Sequence, residues 1–228
     1  MPAPGCPESR AATIIGPMAI VHLIDALLTE IDTGLRTLAA ATPATRPSPA
    51  ADLVAEPLSA SDQTAGAALM RVNHAGEVAA QALYRGQAFT TRDPDIRKSL
   101  LDAALEEQDH LAWCHQRVRE LGGRTSLFGP VWYAGSFALG AAAGLLGTPK
   151  GLGFLVETER QVEQHLTGHL NRLPGSDLAS RAILRQMQSD EAAHGSKARD
   201  LGGTDLPPPV RAAMRLVARV MTTVAQRL

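Results

Sequence analysis

Two short stretches constrain this chain more than anything else in it: Glu107-Gln108-Asp109-His110 and Glu191-Ala192-Ala193-His194. Each is a Glu-x-x-His. Residues three apart on a helix share a face, so each pair can aim a carboxylate and an imidazole at one point. Two such pairs, with one Glu from each of two further helices, form the ligand set of a carboxylate-bridged dinuclear site in a four-helix bundle. The rest of the chain must then supply four helices and two more carboxylates.

It does so by pattern. A helix is expected from Ser61 or Asp62 as cap to about Thr90, with Glu77 on a mixed face beside Asn73, His74, Gln81 and Tyr84. Asp93-Pro94 restarts the chain with a capping Asp and Pro at the first helical position. The helix that follows carries Leu100, Ala103, Ala104, Glu107, His110, Leu111, Cys114, Val118 and Leu121 on one face and stops at Gly122-Gly123. Residues 149–173 repeat the theme, with Glu159 and Glu163 inside the apolar stripe. After a cap at Ser176 or Asp177, Glu191 and His194 interrupt the stripe Ile183, Leu184, Met187, Ala198, Leu201. Glu77 precedes Glu107 by 30 residues and Glu159 precedes Glu191 by 32, which implies two similar halves.

Outside those helices lie four further segments. Residues 18–40 read as an amphipathic helix and 41–57 as a Pro/Ala-rich linker. Residues 127–148 form an apolar arm, too short and too broken by Gly147 and Pro149 for a spanning helix. Residues 208–228 read as a basic amphipathic helix with Val210, Met214, Val217, Met221, Val224 and Leu228 on one face. The expected division is 1–58 as leader, helix and linker, and 59–228 as the metal-binding domain.

Four carboxylates directed into one core would repel, and burying each as an ion is expensive. Two divalent cations balance their −4, with the histidines bound as neutral imidazoles. Oxygen and imidazole donors suit iron or manganese. Glu77, Glu107 and His110 are assigned to one ion, Glu159, Glu191 and His194 to the other, with Glu107 and Glu191 bridging. Glu163 shares the face of Glu159 and competes for its role. Asp190 is a candidate acceptor for an imidazole N–H. Glu106, rotated about 100° from Glu107, is expected in solvent. His74 is placed near the site or as an ordinary buried polar group, and His165 near a pocket at Glu159 or at the surface. His22, His115 and His169 are read as ordinary and Cys114 as a small core residue.

Composition removes several alternatives. A formal net charge of −1 on 228 residues argues against nucleic acid as a partner. At 45% hydrophobic the chain is no disordered tail. Cys6 and Cys114 are its only cysteines, which suits a reducing compartment rather than a disulfide framework. The partly apolar stretch 14–28 is interrupted by Pro17, His22 and Asp25, so no signal peptide is expected.

Arg71-Val-Asn-His-Ala-Gly-Glu77, Glu107-Gln-Asp-His110, the arm Phe137-Ala-Leu-Gly-Ala-Ala-Ala-Gly-Leu-Leu-Gly147, Glu159 and Asp190-Glu-Ala-Ala-His194 together resemble the demethoxyubiquinone hydroxylases of ubiquinone biosynthesis. The resemblance covers residues 61–228. It implies an all-α, ferritin-like four-helix bundle with an additional apolar helical arm and terminal helices. It places the six ligands on Glu77, Glu107, His110, Glu159, Glu191 and His194, with Glu157 and Glu163 flanking the fourth. Some relatives have a tyrosine where this chain has Leu166. The implied cofactor is a pair of Fe(2+) ions, with O2 as co-substrate and NADH or the quinol as reductant; no nucleotide-binding fingerprint is present. The implied partners are a polyprenyl quinone and, peripherally, the cytoplasmic face of a bacterial inner membrane, reached through the arm and the last helix. A homo-oligomer or contacts with other proteins of the pathway are further expectations. The rivals are an iron store, a manganese catalase and a metal-free helical adaptor.

Overall fold

The computed structural model describes residues 17–39, 43–54 and 57–228, and every regular element among them is a helix. The chain falls into two compact units, residues 1–33 and 34–228. Helix α1 (Pro17–Leu38) begins in the first and ends in the second. The second contains α2 (Ala60–Thr90), α3 (Pro94–Glu120), α4 (Gly129–Leu145), α5 (Thr148–Arg172), α6 (Leu178–Asp200) and α7 (Pro208–Arg227). Cys6 lies outside the described residues.

The helices start where side chains satisfy their first N–H groups. Asp93 accepts from the N–H groups of Asp95 and Ile96, with Pro94 just inside the helix, and Asp177 accepts from Ser180 N–H. The cap of α2 is Ser59, which accepts from Asp62 N–H, two residues before the Ser61 expected from sequence. Gly122 and Gly202 follow α3 and α6 with φ of +69° and +100°, the left-handed conformation in which a helix is closed at least expense by Gly.

Helices α2, α3, α5 and α6 form a bundle whose interior is layered. One apolar layer joins Leu69 and Met70 of α2, Cys114 and Val118 of α3, Leu166 of α5 and Met187 of α6. The other joins Tyr84 and Ala88, Leu100 and Ala104, Leu152 and Leu155, and Ala198 of the same four helices. Between them in sequence on every helix lie the buried Glu77, Glu107 and His110, Glu159, Glu191 and His194. The order of layers shows the chain direction: α2 and α6 run one way, α3 and α5 the other. Two consecutive bundle helices that run parallel need a long crossover, and α4 is that crossover.

The apolar arm is thus a single helix, α4, laid against α2 with its other face open. Glycines bring the two backbones together. A Cβ on Gly86 would stand 2.1 Å from Phe137 O, and one on Gly140 would stand 2.1 Å from Leu83 O. Leu139, Leu145 and Leu146 remain exposed. No described helix is long and apolar enough to cross a membrane.

Helix α7 packs mainly on α2. Of the face expected from sequence, Met214, Met221 and Val224 turn inward, joined by Ala218 and Ala225, whereas Val210, Val217 and Leu228 are exposed with Leu216 and Val220. The contact face is the expected one turned toward the alanines, whose small side chains allow the closer approach.

Replacing Gly140 by Ala should lower stability by about 2–3 kcal/mol, since overpacking against backbone outweighs the gain in helix propensity. Gly135→Ala, where an added Cβ meets nothing within 4 Å, should raise stability by up to about 1 kcal/mol. Denaturant melts of the two variants compare them directly.

Candidate metal centre

Ligand-type atoms of Glu77, Glu107, His110 and Glu191 lie within 4.8 Å of one another in the buried layer. His110 Nδ1 stands 3.2 Å from Glu107 Oε2, 3.4 Å from Glu191 Oε1 and 3.5 Å from Glu77 Oε2. His194 Nδ1 stands 3.3 Å from Glu107 Oε1 and 3.4 Å from Glu191 Oε2. Glu107 and Glu191 therefore each turn one oxygen toward each imidazole. Glu159 lies on the His194 side, where Tyr84 Oη donates to its Oε1 at 2.7 Å. Of the six residues named from sequence, Glu77, Glu107, His110 and Glu191 converge, His194 stands against Glu107 and Glu191, and Glu159 adjoins them beside Tyr84.

The far nitrogens of both imidazoles are occupied. His110 Nε2 lies 2.9 Å from Asp190 Oδ2, and His194 Nε2 lies 3.0 Å from Glu106 Oε2. The acid that precedes each Glu-x-x-His thus receives the histidine of the other copy. With Nε2–H donated there, each Nδ1 faces the carboxylates and can offer its lone pair to a metal once its own proton leaves. Glu106, expected in solvent, is half-exposed yet holds His194. Its neighbour Glu107 turns into the buried interior of the bundle, and Glu106, about 100° further round the helix, reaches His194 on α6.

Several other carboxyls and imidazoles are placed elsewhere. Glu157 is buried but engaged by Arg160 Nε at 2.8 Å and Gln161 Nε2 at 2.6 Å, so it does not compete with Glu159. Glu163 is half-buried, outside the cluster. His169 Nδ1 meets Asn73 Oδ1 at 2.8 Å, and its ring lies 3.9 Å from that of His165. His74 is buried 5.7 Å from His115, and burial together with that neighbour pulls its pKa to about 4. These rings are neutral polar groups inside the bundle. Cys114 sits in the core, 3.7 Å from Met187 Sδ.

The centre fits divalent cations on its own geometry. Glu77 Oε2, Glu107 Oε1, Glu191 Oε2 and His194 Nδ1 are buried without a hydrogen-bond partner. Buried polar atoms are rarely left so, and here they converge. Their protons tell the same story. Burial, reinforced by the neighbouring carboxylate charges, raises Glu77 and Glu159 well above the usual carboxylate range. Burial also pushes Glu107 and Glu191 up, but His110 and His194 outweigh it and hold both below the usual range. Burial opposes charge on the imidazoles, yet the carboxylates around them raise His110 well above its ordinary value and His194 to about 11. Without cations these directions favour protons on Glu77, Glu159 and both histidines. Two divalent cations can take their place. Loading should release up to four protons per chain. Calorimetric titrations in buffers of different ionisation enthalpy measure this number, and the apparent affinity should fall as pH is lowered.

Residues 64–225 match the family described as ubiquinone biosynthesis protein COQ7. The 3-demethoxyubiquinol 3-hydroxylase of Ralstonia pickettii (strain 12J) is 54% identical over 217 residues, which cover 90% of this chain and 100% of the relative. That of Bordetella pertussis (strain Tohama I) is 55% identical over 218 residues, covering 95% and 97%. Among solved structures, the bacterioferritin-related protein of Bacteroides fragilis, described as a dodecameric thioferritin, aligns with a TM-score of 0.51 at 18% identity, over 63% of this chain and 86% of that one. The last likeness concerns the fold alone and supports a ferritin-like bundle. With the family matched over most of its length and relatives more than half identical from end to end, this chain belongs to the COQ7 family of ubiquinone biosynthesis proteins.

Proposed function

We propose that this chain is a 3-demethoxyubiquinol 3-hydroxylase, a di-iron monooxygenase acting on the ring of a polyprenyl quinol. The observation that carries the reading is the reciprocal pair of Glu107 and Glu191, each with one oxygen toward His110 and one toward His194. Glu77, Glu107 and His110 would hold one Fe(2+), and Glu159, Glu191 and His194 the other, with Glu107 and Glu191 spanning both. When bound, the iron supplies reductive activation of O2, so that one oxygen atom enters the ring and the other leaves as water.

The residues of the chain hold, orient and exclude. Asp190 and Glu106 fix the imidazole tautomers. Tyr84 O–H orients Glu159 through one of its oxygens. Leu100, Ala103, Leu152 and Leu155 line an apolar cleft that reaches Tyr84 and His194, and they keep bulk water from that side of the centre. The reductant is NADH or the quinol itself.

The substrate's prenyl tail keeps it in a bilayer, so the enzyme works peripherally on the cytoplasmic face of the bacterial inner membrane. Two surfaces suit that position. Helix α4 exposes Val131, Leu139 and Leu145. Helix α7 exposes Leu216, Val217 and Val220 near the basic Arg215, Arg219 and Arg227.

Anaerobic loading should give two irons per chain, and the protein should restore hydroxylated quinone to a strain lacking its own hydroxylase. Glu191→Ala should lose bound metal and all product while keeping its helical circular dichroism. Bound iron without product in the complemented strain points instead to an iron store. On flotation with anionic liposomes the protein should rise with the lipid. Val217→Asp with Val220→Asp should reduce co-flotation at least about tenfold through lost apolar burial. Equal flotation of the variant would remove α7 from the membrane contact.

A further inference from the structure

The two imidazoles of the centre are held unequally. His194 leans on Glu106, whose side chain is 48% exposed and, among the described residues, pairs with no Lys or Arg. His110 leans on Asp190, 13% exposed, and Asp190 is itself gripped from two sides. Gln186 Nε2 donates to its Oδ1 at 2.9 Å. Arg46 Nη1 lies 3.0 Å from the same Oδ2 that receives His110.

Arg46 comes from the stretch between α1 and α2, which has neither helical period nor an apolar stripe. It is nonetheless tied down. Thr45 N–H and Arg46 Nε donate to the buried Asp109 at 2.6 and 2.7 Å. The guanidinium lies 4.9 Å from the ring centre of Trp113, whose own ring stands 5.5 Å from His110. The guanidinium therefore spans Asp109 on α3 and Asp190 on α6. A planar fork suits that double contact, where a lysine ammonium does not.

Resting on the dinuclear reading above, we propose that Arg46 is a positioning residue that clamps Asp190 and so fixes His110, making the Glu77–Glu107–His110 half of the centre the tighter divalent-cation site. Two effects of Arg46 oppose each other. Its positive charge repels a cation, but it is separated from Nδ1 by Asp190 and the whole imidazole ring, and it is partly open to screening water. Its clamp removes rotational freedom from Asp190 and from His110, and partners of metal-bound histidines are typically worth 10–100-fold in affinity. Orientation therefore wins. The other half, with Glu106 half in solvent, lacks such a clamp.

Cobalt(II) titration of the full-length metal-free protein, followed by visible absorption and calorimetry, tests this. Wild type should show two steps separated by at least about tenfold. Arg46→Met keeps the stem beside Trp113 and removes the fork. It should weaken the tighter step by about tenfold and leave the weaker one in place; the metal-free melting temperature should fall, because the buried Asp109 loses a charged partner. Arg46→Lys should weaken the same step by a smaller factor, and it carries the comparison alone if the Met variant does not fold. Glu106→Ala should weaken only the looser step. Two unchanged steps in the Arg46 variants, or equal weakening of both, would overturn the proposal. A wild type that binds fewer than two cobalt ions would instead overturn the dinuclear reading on which it rests.

Discussion

The fold is organised around mutual repulsion. Glu77, Glu107, Glu159 and Glu191 are each buried and drawn toward one another by four helices. An ionised carboxylate taken out of water costs several kcal/mol even after the protein relaxes. A bundle meant only to be stable would fill that layer with Leu and Met, as it does in the layers above and below. The layer therefore has to be understood through what can neutralise it: protons, or the divalent cations proposed above. The apolar layers supply the compensating burial, and their close packing holds the six side chains near a common point.

The second level of organisation is reciprocal. Each helix of the pair α3 and α6 carries an acid, a Glu and a His, and each acid serves the histidine of the other helix. The imidazoles therefore report on the registration of α3 against α6. A slide by one turn would separate both pairs at once. The site is in this sense a gauge of bundle geometry, and α4 is what makes the geometry possible, because it carries the chain back to let α3 and α5 run parallel. Its glycines set how near to α2 it can lie. The face it leaves open is the one proposed above to meet the bilayer.

Much of this was legible in the residues because helical period and ligand spacing are local. The inward face of α3 from Leu100 to Leu121 follows from the 3.6-residue repeat, as does the start at Asp93-Pro94. What escaped depended on partners from elsewhere in the chain. Glu106 faces away from Glu107 around its own axis, and only the position of α6 turns that direction into a contact with His194. Arg46 has no periodic neighbours, so nothing local shows that Asp109 and Asp190 wait for it. Helix α7 shows apolar residues on more than one face, and choosing between them needs the shape of α2. Tyr84 could have been found: it lies on the face of Glu77, and a buried phenol beside a carboxylate demands a partner.

The central claim is that these six groups form one dinuclear centre. Diffraction from anaerobically iron-loaded crystals, collected on both sides of the iron absorption edge, measures it without reference to turnover. Two anomalous peaks per chain, roughly 3.5–4 Å apart as in other two-metal sites, should appear in the buried layer, one beside His110 and one beside His194, with Glu107 and Glu191 between them. A single peak, or peaks on the surface with the buried layer empty, would contradict it.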